Sequence, residues 1–220
     1  MLSGAANAQQ AAPGKAERAV APVVDAIRQA RAAEAALPPA TTTREKLERM
    51  GRLDQAGRMH IQEVDWGKLS PEEGVEARKR IAAVMEPVDD ANMARLRELM
   101  PAEGWFSRQE VGEAGIKASF HIVQHAGDLA TLKFVLPRLQ ALAERGELDG
   151  SSYAAMYDRV ATTEGRPQRY GTQFHCVGGR IAPFPLENPG QVEEDRRALK
   201  FGQTFAESDK MHTGRPCGGS

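Results

Sequence analysis

The stretch SRQEVGEAGIKASFHIVQHAGD, Ser107 to Asp128, decides how the rest of the chain is read. Ser107 followed three residues later by Glu110 has the spacing of a capping box, in which hydroxyl and carboxylate satisfy the unpaired N–H groups of a helix start. The helix is expected over Gln109 to Gly127. Projected at the helical period, Ile116, Phe120, Ile122, Val123 and Leu129 spread around most of the circumference, while Lys117, His121, Gln124, His125 and Asp128 fall on one narrow stripe. A helix that is apolar on most sides is mostly buried, and a buried polar stripe has to find polar partners.

Toward the C-terminus, Asp128 is placed to cap a second helix, Leu129 to Glu144, whose Leu132, Val135, Leu136, Leu139 and Leu142 face a core; Pro137 is a candidate kink, and Gly146 ends it. Ser151 or Ser152 then caps a helix through Val160, broken by Gly165-Arg166-Pro167. From Arg169 to Val177 the pattern is that of a strand, with Gly178-Gly179 as a tight turn and Arg180 to Phe184 as the return. Pro183, Pro185 and Pro189 keep that return short or at an edge. A last helix is expected over Gln191 to Phe201, and Glu207 to Ser220 is expected to be a mobile tail.

Toward the N-terminus, Ser70-Pro71-Glu72-Glu73 marks another helix start, with Ser as cap, Pro at the first helical position and Glu at the third. That helix is expected to end near Met85, and Asp89 or Asp90 to cap a separate one carrying Met93, Leu96, Leu99 and Met100 inward until Pro101. Thr41 to Thr43 offer cap hydroxyls for a helix running to about Glu63, with Leu47, Met50, Leu53 and Ala56 on one face. Before it, Val20, Val23, Val24 and Ile27 describe a weak peripheral helix between Ala16 and Leu37 with Pro22 in its first turns, and Met1 to Lys15 are expected to be disordered. The fold class is therefore mainly α: a single helical domain over 43–205 with a small C-terminal β-hairpin near 169–184, an Ala-rich leader over 1–42 and a disordered tail over 206–220.

Composition narrows the function classes. The chain has 220 residues, with 29 Lys and Arg against 30 Asp and Glu, so it lacks the broad basic footprint of a non-specific nucleic-acid binder. No apolar run approaches the length of a membrane span, so no spanning segment is expected. Cys176 and Cys217 allow at most one internal disulfide and stand outside any CxxC or Cys/His cluster, which leaves the redox compartment open. Ala6-Asn7-Ala8 has the small-x-small form of a signal-peptidase site, yet Met1 to Ala5 is too short for an apolar signal core. As encoded the chain reads as cytoplasmic, or as exported if the true start lies upstream of Met1. Oligomeric state is not legible.

Several short stretches resemble a bacterial family of uncharacterised proteins, a domain of unknown function: GW with VGEAG, VQHAGD, MYDRV, QRYGTQF and DRRALKFG, with LDQAGR at Leu53 to Arg58 upstream. The resemblance covers roughly residues 45 to 205, and QRYGTQ is its most specific piece. It implies a helix-rich fold and carries no activity. The polar positions it singles out are Gln124, His125, Asp158, Arg159, Gln168, Tyr170, Gln173 and Arg196.

His121 and His125 are four apart on a helix, the spacing at which two imidazoles reach one metal. That is half a site: Ile122 stands where the HExxH proteases have Glu, and a third ligand from Asp158 or His175 is not compelled by spacing. A polar stripe or a hydrogen-bonded core pair is the commoner use, and no metal or cofactor is expected. His125 is the candidate general acid or base, with Asp158 as the carboxylate to orient it, against the equal alternative of a structural His–Asp tie between helices. Arg159 suits a carboxylate or phosphate because its planar fork donates two hydrogen bonds, although a buried ion pair is the commoner use. Gln168, Thr172 and Gln173 supply neutral donors and acceptors, and Gly171 permits close approach of a ligand or another backbone. In strand geometry Tyr170 and Gln173 diverge to opposite faces. No serine lies in a GxSxG elbow, which disfavours a serine hydrolase.

The catalytic candidates are thus His125 and Asp158, and the substrate-binding candidates Gln124, Arg159, Gln168, Tyr170 and Gln173. The reading is an enzyme using His/Asp acid–base chemistry on a small polar or anionic substrate. Its alternatives are a non-catalytic ligand-binding module and a structural or interaction domain.

Overall fold

A computed structural model describes residues 13–102, 104–126 and 128–217. The expected disorder at the extreme N-terminus and the signal-peptidase-like triplet both fall on residues 1–12, outside the described residues. Among those described are eight α-helices and one two-stranded antiparallel sheet, so the fold is mainly α with a C-terminal hairpin.

The chain opens with α1, Lys15–Ala35, which carries Pro22 in its interior and buries Ala16, Val20, Val23 and Ile27. A weak peripheral helix is therefore the wrong description, because Val20 and Val23 are 1% and 0% exposed and pack with Val64, Ala77 and Val88 in an apolar cluster of their own. Thr42 caps α2, Thr43–Arg58. This helix stops short of Glu63, and two short 3-10 turns at Ile61–Glu63 and Trp66–Lys68 carry the chain onward. Ser70 and Glu73 form the expected capping box of α3.

The two helices expected between Pro71 and Met100 are one continuous helix, α3, Pro71–Leu99, with Pro87 inside it. An interior proline costs about 3 kcal/mol. Directly after it, Val88, Asn92, Met93 and Leu96 are buried, and Arg58 of α2 grips Asp89 with both carboxylate oxygens at 2.9 and 2.8 Å. These contacts hold the helix together across the proline.

The decisive helix is α4, Arg108–Ala126, interrupted at Gly112, where φ is +70°. Its Ile116, Phe120, Ile122 and Val123 are at most 3% exposed, so it runs through the larger apolar cluster as the sequence pattern requires. Asp128 caps α5, Leu129–Glu144, through its carboxylate to the N–H groups of Ala130 and Thr131. Then α6, Gly150–Thr163, has Asp149 at its N-cap position, ahead of the expected Ser151 or Ser152, and outlasts the expected end at Val160. The hairpin consists of β1, Phe174–Val177, and β2, Arg180–Pro183, with Phe174 opposite Pro183 and Val177 opposite Arg180.

The strand is shorter than the expected Arg169–Val177. Backbone N–H groups of Arg169, Tyr170 and Thr172 are taken by the Asp158 carboxylate instead of a ladder partner, so side-chain alternation does not extend back to Tyr170. A short helix, α7, Val192–Ala198, follows. The segment expected to be a tail then holds α8, Phe205–His212, with its own capping box from Thr204 and Glu207. Beyond it Cys217 is bonded to Cys176 of β1.

Candidate functional site

The helices α2 and α4 touch along a seam of small residues; a side-chain carbon placed on Gly51 would lie 2.6 Å from Cβ of Ala118. That closeness brings Asp54, one turn beyond Gly51, against the end of α4. Nδ1 of His125 lies 3.0 and 2.9 Å from the two carboxylate oxygens of Asp54. The Asp54 side chain is 1% exposed and that of His125 21%. Gln55 Nε2 donates to Asp54 at 2.7 Å and Arg58 Nη1 at 3.2 Å, while the other arm of Arg58 holds Asp89. Three donors thus converge on one buried carboxylate.

Burial alone would raise the Asp54 pKa, but the hydrogen bond from His125 and the charges of His125 and Arg58 bring it below the ordinary value, so Asp54 is an anion at neutral pH. A carboxylate only accepts, so Nδ1 of His125 carries a proton, and the tautomer this fixes is the one whose lone pair is on Nε2. Nε2 makes no hydrogen bond to another described residue. His121, one turn earlier, stacks on His125 with ring centroids 5.8 Å apart. Burial, reinforced by the neighbouring His125, lowers its pKa. It lines a cavity of about 590 Å³ between α2 and α4, with Gln55, Met59 and Lys117 also on its wall.

Arg159 of α6 belongs to this side of the molecule. Burial and then the nearby charge of Arg58 lower its pKa, and its guanidinium has no hydrogen bond or ion pair with any described residue. Gln124 is half-buried on α4.

Asp158, the carboxylate expected beside His125, points elsewhere. It is fully buried and accepts from the backbone N–H groups of Arg169 (2.7 Å), Tyr170 (3.0 Å) and Thr172 (3.0 Å) and from the Thr172 hydroxyl (2.8 Å). Burial holds its pKa above the ordinary carboxylate value against the pull of these donors. Gln168 completes the same structure: its amide donates to the carbonyls of Gln173 and Phe184, and its oxygen accepts from the Gln173 N–H. Gln173 turns its own amide to the Ala155 carbonyl. Arg196 braces the loop from outside, donating to the carbonyls of Tyr170 and Gln203. These residues fold the 168–173 loop onto α6.

Tyr170 is buried against Tyr157 and Tyr153 in edge-to-face contacts, at 5.5 and 6.3 Å between centroids. Burial pushes its hydroxyl up to about 12, and it lines a different cavity, of about 650 Å³, with Tyr153, Arg169 and Lys200. Neither Asp158 nor Gln173 hydrogen-bonds to His125, and Asp54 takes the place expected of Asp158. Of the six-residue QRYGTQ stretch, the two Gln and the backbone build the loop.

The residues missed by sequence reading are Asp54 and Arg58. Their signal was present in LDQAGR: an acid and a base four apart on a helix, with the acid on the face that carries Met50 and Leu47 into the core. No group of three or more His, Cys, Asp or Glu among the described residues is placed to hold a metal ion, and no described helix is long and apolar enough to cross a membrane.

Residues 39–207 match a protein family described as "Family of unknown function (DUF6624)". No curated protein and no solved structure matches the chain.

Proposed function

The chain belongs to DUF6624, a family of unknown function, and from that premise we propose that it is an enzyme in which His125, oriented by Asp54, moves a proton on a small anionic substrate. The observation that carries this is the buried, ionised Asp54 bound to Nδ1 of a histidine whose other nitrogen is unengaged. In such a pair the carboxylate fixes the ring and its tautomer and stabilises the imidazolium formed when Nε2 takes a proton from a water that attacks the substrate; as the new bond to the water oxygen forms and the bond to the leaving group breaks, the same Nε2 gives that proton to the leaving group. Arg159, half-buried and with no carboxylate partner among the described residues, supplies the fork that an anionic substrate group would occupy. His121, Lys117 and Arg52, on the wall of the adjoining cavity, add donors beside its one acid among the described lining residues, Glu48.

The test is turnover of a panel of small carboxylate esters, phosphomonoesters and acid amides by the wild type and His125→Gln. The expected result is a loss of about 10²–10⁴-fold in kcat with an unchanged circular dichroism spectrum. A folded His125→Gln variant that keeps full turnover defeats the reading. A second reading, anion binding without turnover, is favoured by Arg159 alone: it expects Arg159→Gln to abolish phosphate or carboxylate binding in a protein that turns over nothing on the panel.

A further inference from the structure

Arg58 also lines a cavity of about 700 Å³, a volume typical of small-molecule sites. Its floor is apolar, made by Met59, Ile61, Val64 and Trp66 after the end of α2 and by Ile181 of β2. Its charged wall is Arg58, Arg78 and Arg215, with no Asp or Glu among the described lining residues. The chain as a whole is nearly balanced, with 30 acidic and 29 basic residues, whereas every charged residue on this lining is an arginine, which favours an anion over a cation there. Arg58 is already offset by Asp54 and Asp89. Arg215, by contrast, has no ion pair with any described residue and is the charge on this wall left for a ligand.

The rim that presents Arg215 is held firmly. The Ile181 N–H donates to the Arg215 carbonyl at 2.9 Å, the Gly214 N–H to the Ile181 carbonyl at 2.9 Å and the Cys217 N–H to the Gly179 carbonyl at 3.0 Å. The disulfide to Cys176 closes the end. Met59 is 66% exposed, a large apolar side chain of the floor that no described residue covers. Gln55 lines this cavity and donates to Asp54, which connects the wall directly to the His125 centre.

We infer that this cavity binds an amphipathic anion, an apolar chain or ring bearing one carboxylate or phosphate, with the apolar body on Trp66, Ile61 and Met59 and the anion toward the arginines. The site is separate from the proposed proton-transfer centre, since neither His125 nor Arg159 lines this cavity, and binding here is measured without turnover. Calorimetric titration of the full chain with octanoate, octyl phosphate, octanol and inorganic phosphate separates the contributions of body and head. At least one of the two anionic amphiphiles is expected to bind ten times or more tighter than either octanol or phosphate, and the comparison between them identifies the head group. Arg215→Glu and Met59→Asp, both at exposed positions, are each expected to weaken that binding at least tenfold, with Arg215→Lys restoring most of it. Octanol binding as tightly as the anions, or unchanged affinity in both Arg215→Glu and Met59→Asp, overturns the inference. Turnover that depends on His125 without amphiphile binding would sink this site alone; amphiphile binding with His125-independent turnover would sink the acid–base reading alone.

Discussion

At the scale of single residues, the two buried aspartates show how one side-chain type takes opposite roles. Asp158 has backbone N–H groups and a hydroxyl around it, so its lone pairs are spent on holding a loop. Asp54 has side-chain donors with their own charges or proton equilibria, so its state is coupled to that of His125 and Arg58. Because the folded pKa of Asp54 is depressed below its ordinary 3.8, its contribution to stability is fully present above that pH and is lost as pH falls through the folded value. Asp54→Asn is therefore expected to cost about 1–3 kcal/mol at pH 7, and the gap to wild type to close below about pH 4. Urea unfolding between pH 2 and 7 measures this. A gap that stays constant across that range would mean that Asp54 is not the ionised anchor of the network.

At the scale of elements, the site exists because two helices approach closely. Gly51 is where they do so: its missing side chain leaves room for Ala118. Alanine is normally about 1 kcal/mol better than glycine inside a helix, but here its methyl group would sit 2.6 Å from Cβ of Ala118, an overpacking that costs about 1–3 kcal/mol. Gly51→Ala is expected to lower stability despite the gain in propensity, and to reduce any His125-dependent turnover by carrying Asp54 away from the ring. A rise in melting temperature would show that the seam has slack. The sequence pattern exposed each helix separately, through the Ser70 and Ser107 cap signals and the stripe on α4. It did not show which helix lies beside the stripe, because amphipathicity specifies a face and not its partner. Hence His125 was legible as a candidate while its carboxylate was assigned to Asp158, 33 residues downstream in sequence, instead of Asp54.

At the scale of the whole molecule, the C-terminal segment is part of the fold. The Phe205 ring of α8 packs over Gly171, where φ is +67° and an added side-chain carbon would lie 2.3 Å from the ring. Residues 214–217 extend the hairpin edge and are bonded to it through Cys217. The Cys176–Cys217 bond spans a sequence separation of 41, and a crosslink of that reach restricts the unfolded chain by an amount worth about 2–4 kcal/mol. Reduction with dithiothreitol, or Cys217→Ser, is expected to lower the unfolding free energy by that amount in urea titrations. No change would return the segment to the dispensable tail that its composition suggests.

The sequence by itself determined the class of fold, the positions of most helix starts, the buried character of α4 and the polar stripe along it, because caps and apolar periodicity are local and are written in consecutive residues. It also contained both halves of the central pair, in LDQAGR and VQHAGD, without saying that they meet. Tertiary structure decided the rest: that Asp54 and not Asp158 holds His125, that the residues before β1 wrap a carboxylate instead of extending a strand, that Pro87 sits inside a helix, and that α1 and α8 are packed. Each depends on a contact between distant segments whose energy outweighs the local preference, and no local pattern records which distant segment will supply it.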